Sequence, residues 1–346
     1  MMCPGRRPRA GLAIPPQLQS QSRSPMNPVI VVGSFNVDHV WRCSDLPATG
    51  ATIAGQYMTG PGGKGFNQAV ASARAGTPTA FICALGDDPG GALARELAAA
   101  EGIDLRAEAS SEPTGTAGIY VDARGRNTIV IGAGANGVLG VAHVTADPAL
   151  FGAAGVLLVQ LESPVEAIGA ALSAARQAGT TTVLNPAPAN APTSMGLLRL
   201  ADVLTPNETE FSALLLRHVG ERVEPDAVAA LDGARLHALC RKLLPHGSVV
   251  VTMGSVGVFV SHADEQMRGD AHPYYRVGAE SVAASDTTGA GDAFNGALAA
   301  ALARAPQQAF ATHVRYANRF AALSTEHAGA AAAMPRHDEV LARFPG

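Results

Sequence analysis

Lysine is almost missing from this chain. Of 346 residues only Lys64 and Lys242 carry that side chain, and arginine supplies the rest of the positive charge. The formal net charge is −4, and no basic stripe stands out, which argues against nucleic acid as the main partner. The four cysteines, Cys3, Cys43, Cys83 and Cys240, are far apart. Their spacing excludes a clustered metal site and a disulfide scaffold, and reduced thiols in a cytoplasmic protein are expected. No apolar run approaches the roughly 20 residues of a membrane span, so no membrane partner is expected. The ten histidines have no ligand spacing.

What the chain has in quantity is apolar side chains, 47% of all residues against 16% charged. That supports a large core, in one large α/β domain or two smaller ones. Residues 1–27 differ in being rich in Pro, Arg, Gln and Ser. They cannot bury enough apolar surface to order themselves and lack the apolar core of a signal peptide, so a disordered tail is expected there. Met26, just ahead of the first strand, could be the true start.

Beyond the tail, Val29 to Val32 reads as a buried strand. The segment Gly33-Ser34-Phe35-Asn36-Val37-Asp38 places Asn36 and Asp38 two residues apart, on one side of an extended chain. That arrangement suits vicinal hydroxyls, and a plain surface loop fits equally well. Gly60-Pro61-Gly62-Gly63-Lys64-Gly65-Phe66-Asn67-Gln68 precedes a helix predicted over Ala69 to Ala75. Its glycines allow a polar ligand close to the backbone, yet the spacing is not that of a Walker-type loop. Ala117 to Val121 and Asn127 to Ile131 have a hairpin pattern. Together with the chain near Val40-Trp41 and Ile53 to Tyr57 they predict a small separate sheet, over about 38–58 and 115–132.

From Val156 onward strand and helix alternate. Apolar strands at 156–161, 181–184, 203–204 and 249–252 predict a mostly parallel central sheet with helices on both faces. Ligands of such sheets gather at the carboxyl ends of the strands. Asn36, Asp38, Glu162, Asn185, Asn207, Glu210, Thr252 and Asp292 all fall just past such ends. Glu162 could instead cap the next helix, and Asn207 could be an N-cap.

The segment from Ala284 to Ala297 carries the most chemistry. Gly289, Ala290 and Gly291 open a helix and leave backbone amides unshielded, where an anion is favoured. Asp292 follows at once and could take a proton from a hydroxyl. That pairing suits phosphoryl transfer to an alcohol; ordinary helix capping is the alternative.

Taken together, these motifs resemble those of the PfkB-type carbohydrate kinases, and within them most closely the ribokinases. The resemblance rests on segments 33–39, 62–69, 160–164, 184–189, 205–210 and 286–292, in that order, and extends from about Pro28 to Phe344. It implies a ribokinase-like Rossmann-type sandwich spanning 28–346, with a β lid that can form a homodimer interface. It implies ATP-dependent phosphorylation of a sugar's primary hydroxyl, most closely that of D-ribose. A nucleoside, fructose or a sugar acid as substrate, or a non-catalytic regulator on the same fold, stays open beside that reading.

By motif position, Asp292 would be the base and the amides of Gly289, Ala290 and Gly291 the anion hole. Asn36, Asp38, Gly62, Gly63, Lys64, Asn67 and Glu162 would bind the sugar. Asn207, Thr252, Gly254, Ser255, Gly257, Gly291 and Asn318 would line the ATP site. Glu210 would act on Mg2+ through water. Asp286, Thr288, Ser324, His327 and Gly329 would hold a monovalent cation, K+. Ala333 falls where ribokinases commonly carry a hydroxyl.

Overall fold

The computed structural model describes Met1 and residues 27–345; the predicted tail therefore lies, apart from Met1 and Asn27, outside the described residues. The chain enters through β1 (Val29–Val32), whose four residues are all buried. Val29 and Val31 face one apolar cluster, Ile30 and Val32 the other. A strand buried on both faces has no place for a polar residue, hence the unbroken apolar run.

The strands and helices then follow as β2 (Asn36–Arg42), β3 (Gln56–Gly62), α1 (Lys64–Arg74), β4 (Thr79–Gly86), α2 (Pro89–Ala100), β5 (Asp104–Ser110), β6 (Gly115–Val121) and β7 (Asn127–Gly132). Next come α3 (Val141–Val144), α4 (Pro148–Ala153), β8 (Val156–Val159), α5 (Val165–Gln177), β9 (Thr181–Leu184), α6 (Met195–Leu198), β10 (Val203–Leu204), α7 (Glu208–His218), α8 (Pro225–Val228) and α9 (Gly233–Leu243). The chain closes with β11 (Ser248–Thr252), β12 (Val258–Ser261), β13 (Tyr274–Val277), α10 (Ala290–Arg304), α11 (Phe310–Ser324) and α12 (His337–Arg343).

The nine-stranded main sheet has the order β13-β12-β11-β10-β9-β8-β1-β4-β5. It is parallel from β5 through β11, with β12 and β13 antiparallel at one edge. Phe66 of α1, Ala297 of α10 and Phe320 of α11 belong to the cluster on one face. Ile168 of α5, Leu215 of α7 and Leu236 of α9 belong to the other. A separate four-stranded sheet, β3-β2-β6-β7, is fed directly by β1 through Gly33-Ser34-Phe35. Asn36 and Asp38 lie in β2 and share a face of it.

Several features differ from the sequence reading. Helix α1 begins at Lys64 rather than Ala69, because Gly63 at φ 88° turns the chain straight into it. A Cβ at Gly63 would lie 2.8 Å from the Ser34 carbonyl oxygen, so no larger side chain fits. Strands β5 and β13 were not anticipated: both are edge strands whose polar residues break the apolar run. Helix α9 was missed too, its polar and apolar residues following the helical period over only 11 positions.

Because β1, β8, β9, β10 and β11 are parallel, their carboxyl ends share one edge of the sheet. Helices α1 and α10 cross closely beside that edge. Gly296 makes this possible, since a Cβ there would lie 2.5 Å from both Ala71 Cβ and the Gln68 carbonyl oxygen.

Candidate active site

Asp292 stands in the first turn of α10 and is only 7% exposed. Its two carboxylate oxygens are held separately: Asn67 Nδ2 donates to Oδ2 at 2.9 Å, and Gln68 Nε2 donates to Oδ1 at 2.9 Å. Burial pushes its carboxyl above the usual range, while the charge of Lys64 and these two donors oppose the rise. Gly289 caps α10 in the left-handed region, φ 75°, with Ala330 packed where a Cβ would stand. The Ala290 amide donates to the Thr287 carbonyl at 3.2 Å, and the helical ladder opens with Ala293 N–H to Gly289 at 2.8 Å. The amides of Gly291 and Asp292 therefore precede the first ladder bond, at the positive end of a 15-residue helix.

Glu162 does not cap α5, whose N-cap is Pro164. Its Oε2 instead accepts from Ser34 Oγ at 2.6 Å and from the Lys64 backbone amide at 3.0 Å. The carboxylate thus sits on the N-terminus of α1, where negative charge is favoured. Asp38 lies over the backbone of Gly62, where a Cβ would come within 2.2 Å of its carboxylate. Its pKa is pushed up to about 6, by burial first and then by the charges of Glu162 and Asp292. Asn36 is buried, and its Oδ1 accepts from Asn136 Nδ2 at 2.8 Å. Asn136 also spans both backbone groups of Phe35.

Lys64 faces Asp292, Glu162 and Glu210. Burial alone would lower its pKa, but the three carboxylates outweigh it and hold the ammonium charged. Asn207 and Glu210 form a reciprocal capping box on α7: Glu210 N–H donates to Asn207 Oδ1 at 2.8 Å, and Asn207 N–H to Glu210 Oε2 at 2.9 Å. The capping reading of Asn207 therefore holds as geometry. One carboxylate oxygen of Glu210 is spent in it. Burial, ahead of the opposing effects of Asn207 and Lys64, raises the Glu210 pKa.

Thr252 ends β11 and bridges to Asn207. Gly254, Ser255 and Gly257 make the turn into β12. Gly257 at φ 102° is irreplaceable there, since a Cβ would lie 2.1 Å from the Val277 carbonyl oxygen. Asn318, on α11, donates to the Gly278 carbonyl at 2.8 Å. Two loops meet at Asp286, whose carboxylate accepts from the amides of Thr288 at 2.9 Å and Gly329 at 3.0 Å. Burial would raise the Asp286 pKa, but hydrogen bonds from Thr288 and Gly329 prevail and lower it. The Thr325 carbonyl accepts from the amides of Ser285 and Asp286. Ser324 turns its hydroxyl back onto Ala321, His327 donates its amide to the Ser324 carbonyl at 3.4 Å, and Ala333 is buried.

The fold thus gathers Glu162, Glu210 and Asp292 around one lysine, with Asp38 in the field of Glu162 and Asp292. Sequence reasoning passed over Ser34, Gln68 and Asn136, which hold Glu162, Asp292 and Asn36 in place. Their only signal was being polar inside otherwise apolar or glycine-rich motifs. No cluster of three or more His, Cys, Asp or Glu able to hold a metal ion occurs among the described residues. No helix among them is long and apolar enough to cross a membrane.

The sequence profile of the pfkB family carbohydrate kinases matches residues 26–337. A ribokinase of Haemophilus influenzae is 37% identical over 314 residues, covering 90% of this chain and 96% of that protein. The structure of ribokinase from Giardia lamblia superposes with a TM-score of 0.81 at 29% identity, covering 92% of this chain and 98% of that one. The structure of Arabidopsis thaliana ribokinase complexed with ribose and ATP gives 0.77 at 30% identity, with the same coverage. The α/β sandwich and small separate sheet described above are the ribokinase-like fold.

Proposed function

The chain belongs to the pfkB family of carbohydrate kinases, and we propose that it transfers the γ-phosphoryl group of ATP to the primary hydroxyl of D-ribose, giving D-ribose 5-phosphate. The observation that carries this reading is Asp292: a buried carboxylate gripped at both oxygens, next to open helix amides and in the electrostatic field of Asp38 and Glu162. Its ribokinase relatives support ribose over other sugars.

In this reading the sugar hydroxyls meet Asp38, Asn36, Asn67 and Glu162. The carboxylate of Asp292 accepts the proton of the attacking hydroxyl as the oxygen approaches the γ-phosphorus. The amides of Gly289, Ala290 and Gly291 neutralise charge growing on the transferred group; the Ala290 amide must leave the Thr287 carbonyl to take part. Lys64 lies where it balances the surrounding carboxylates. The small sheet acts as the lid, excluding water so that ATP is not wasted by hydrolysis. Asn207, Thr252, Gly254, Ser255, Gly257 and Asn318 line the nucleotide.

The three carboxylates around Lys64, with Asp38 nearby, repel an anionic nucleotide, so it has to enter with a cation. The residues present fit Mg2+ carried on the phosphates, with Glu210 as a partner through water, since the described residues offer no cage of their own. Mg2+ would supply charge neutralisation on the phosphates. The loops stitched together at Asp286 would hold K+ through main-chain carbonyls, with Asp286, Thr288, Ser324, His327 and Gly329 nearby. The small sheet exposes Tyr57, Met58, Ile129, Val130 and Ile131, an apolar set that supports a homodimer through the lid. A cytoplasmic site suits a reaction that draws on ATP.

The test is a panel of purified protein with ATP, Mg2+ and ribose, fructose, adenosine or inosine, with and without K+. ADP release is expected to be fastest with ribose. Asp292→Asn should lower kcat by about 10²- to 10⁴-fold while nucleotide binding persists. Activity near wild type in that variant, or a nucleoside outpacing ribose, would overturn the reading.

A further inference from the structure

Gln68 is wholly buried on α1, and every hydrogen-bonding group of its carboxamide is committed. One N–H goes to Asp292 Oδ1 at 2.9 Å and the other to Asn185 Oδ1 at 3.1 Å. Its Oε1 accepts from Gln160 Nε2 at 2.5 Å. Gly33 leaves room for Gln160, since a Cβ there would lie 2.1 Å from Gln160 Oε1. Asn185 in turn donates to the Thr205 carbonyl at 3.0 Å. Thr205 Oγ1 donates to Asn295 Oδ1 at 2.5 Å, and Asn295 Nδ2 donates to the Gly291 carbonyl at 2.8 Å.

The chain of bonds is a closed loop. It leaves α10 at Gly291, passes the ends of β10 and β9, crosses to α1 and returns to the neighbouring residue, Asp292. Main-chain carbonyls can only accept, so the bonds to Thr205 and Gly291 fix which way Asn185 and Asn295 face. Asn185 must then present its oxygen to Gln68. A flipped Gln68 would set its own oxygen against those of Asn185 and Asp292, leaving buried acceptors unpaired.

We infer that Gln68 is a positioning residue for the phosphoryl transfer: locked in one orientation by this loop, it fixes the Asp292 carboxylate in the pose that meets the acceptor hydroxyl. The inference rests on the reading of Asp292 as the base. Asn67 holds the other oxygen from the same helix, so the carboxylate plane is set by two adjacent residues of α1. The charged groups facing Asp292 are Lys64 on α1, Glu162 beyond β8, Asp38 on β2 and Glu210 on α7. Among these only Lys64 favours the ionised form. Without Gln68, then, Asp292 should both wander and hold its proton to higher pH.

The experiment uses the full chain with ATP, Mg2+ and saturating ribose. Gln68→Met keeps the length of the side chain and removes all three bonds. Its kcat should fall on the order of 10- to 100-fold, KM for ATP should stay put, and the acid limb of the kcat–pH profile should move to higher pH. Should Gln68→Met fail to fold, Asn185→Ser breaks the next link and should shift the limb in the same direction with a smaller loss of kcat. A lower melting temperature with an unmoved limb in the folded variant would overturn the inference. If Asp292→Asn is inactive while Gln68→Met matches wild type, only the role of Gln68 falls. If Asp292→Asn is itself active, the reading of the base falls with it.

Discussion

Asn in place of Asp38 should make the sugar-free protein more stable at neutral pH and a poorer enzyme. Asp38 is held half-buried above Gly62, without a hydrogen-bond partner among the described residues. Burial, then Glu162, then Asp292 push its carboxyl from an ordinary value of 3.8 to about 6. A carboxyl that binds its proton more tightly when folded opposes folding once it ionises. The cost is absent below the unfolded value of 3.8, grows between 3.8 and about 6, and is complete above that. Two pKa units at about 1.4 kcal/mol each set a ceiling of about 3 kcal/mol. Solvent reaching the open side of the carboxylate reduces this to about 1–2 kcal/mol. The amide keeps the shape and removes the charge. Thermal unfolding without sugar or nucleotide should therefore find Asp38→Asn a few degrees more stable than wild type at pH 8. The gap should close by about pH 4, where both side chains are neutral. In wild type, the KM for sugar should rise as pH falls through about 6, because a protonated Asp38 no longer accepts from two hydroxyls. A variant no more stable than wild type at pH 8, or a gap that persists in acid, would refute the electrostatic argument.

Other substitutions probe the rest of the frame. Gly296→Ala puts a Cβ 2.5 Å from Ala71 and the Gln68 carbonyl; forcing α1 from α10 should cost about 1–3 kcal/mol and lower kcat, as calorimetry and steady-state assays would register. Glu162→Gln must keep its one oxygen toward Ser34 and Lys64, turning an amide donor to the sugar; KM for ribose should rise about tenfold with a smaller effect on kcat. At the far end of the sheet, Asp270 accepts from Tyr275, His262 and the Ala311 amide at the start of α11. Asp270→Ala should cost about 2–4 kcal/mol by stranding these buried groups while leaving kcat/KM at 25 °C unchanged; a matching loss of activity would contradict the placement.

The electrostatics also explain an economy in composition. One of only two lysines stands where Glu162, Glu210 and Asp292 converge. Arginine, its charge spread over a broad fork, takes the structural tasks instead. Arg74 ties α1 to Glu101 and to the carbonyls of Ala332 and Met334. Arg241 ties α9 to Ser261 and Gly247. A compact ammonium suits a crowded site that several carboxylates share, whereas a planar fork suits fixed bidentate bonds.

The parallel sheet was legible because β1, β8 and β11 are buried on both faces and so must be apolar throughout. Local pattern is enough for such strands. The positions of Glu162 and Asn185 past the carboxyl ends of β8 and β9 followed from the same logic, since parallel strands end at one edge. What local pattern cannot carry is a contact between distant segments. Gln68 reads as one more polar residue in a glycine-rich stretch; its meaning lies in Asn185, 117 positions away, and Asp292, 224 away. Asn136 serves Asn36 across 100 residues. The start of α1 was misplaced for a related reason: three glycines read as loop, whereas Gly63 and Gly65 leave room for the segment from Gly33 to Asn36, and Gly62 for Asp38. Glycines that make room for a neighbouring segment look, in sequence, like glycines that loosen the chain. Only the packed partner distinguishes them, and at this site the packed partner is the segment that carries Asn36 and Asp38.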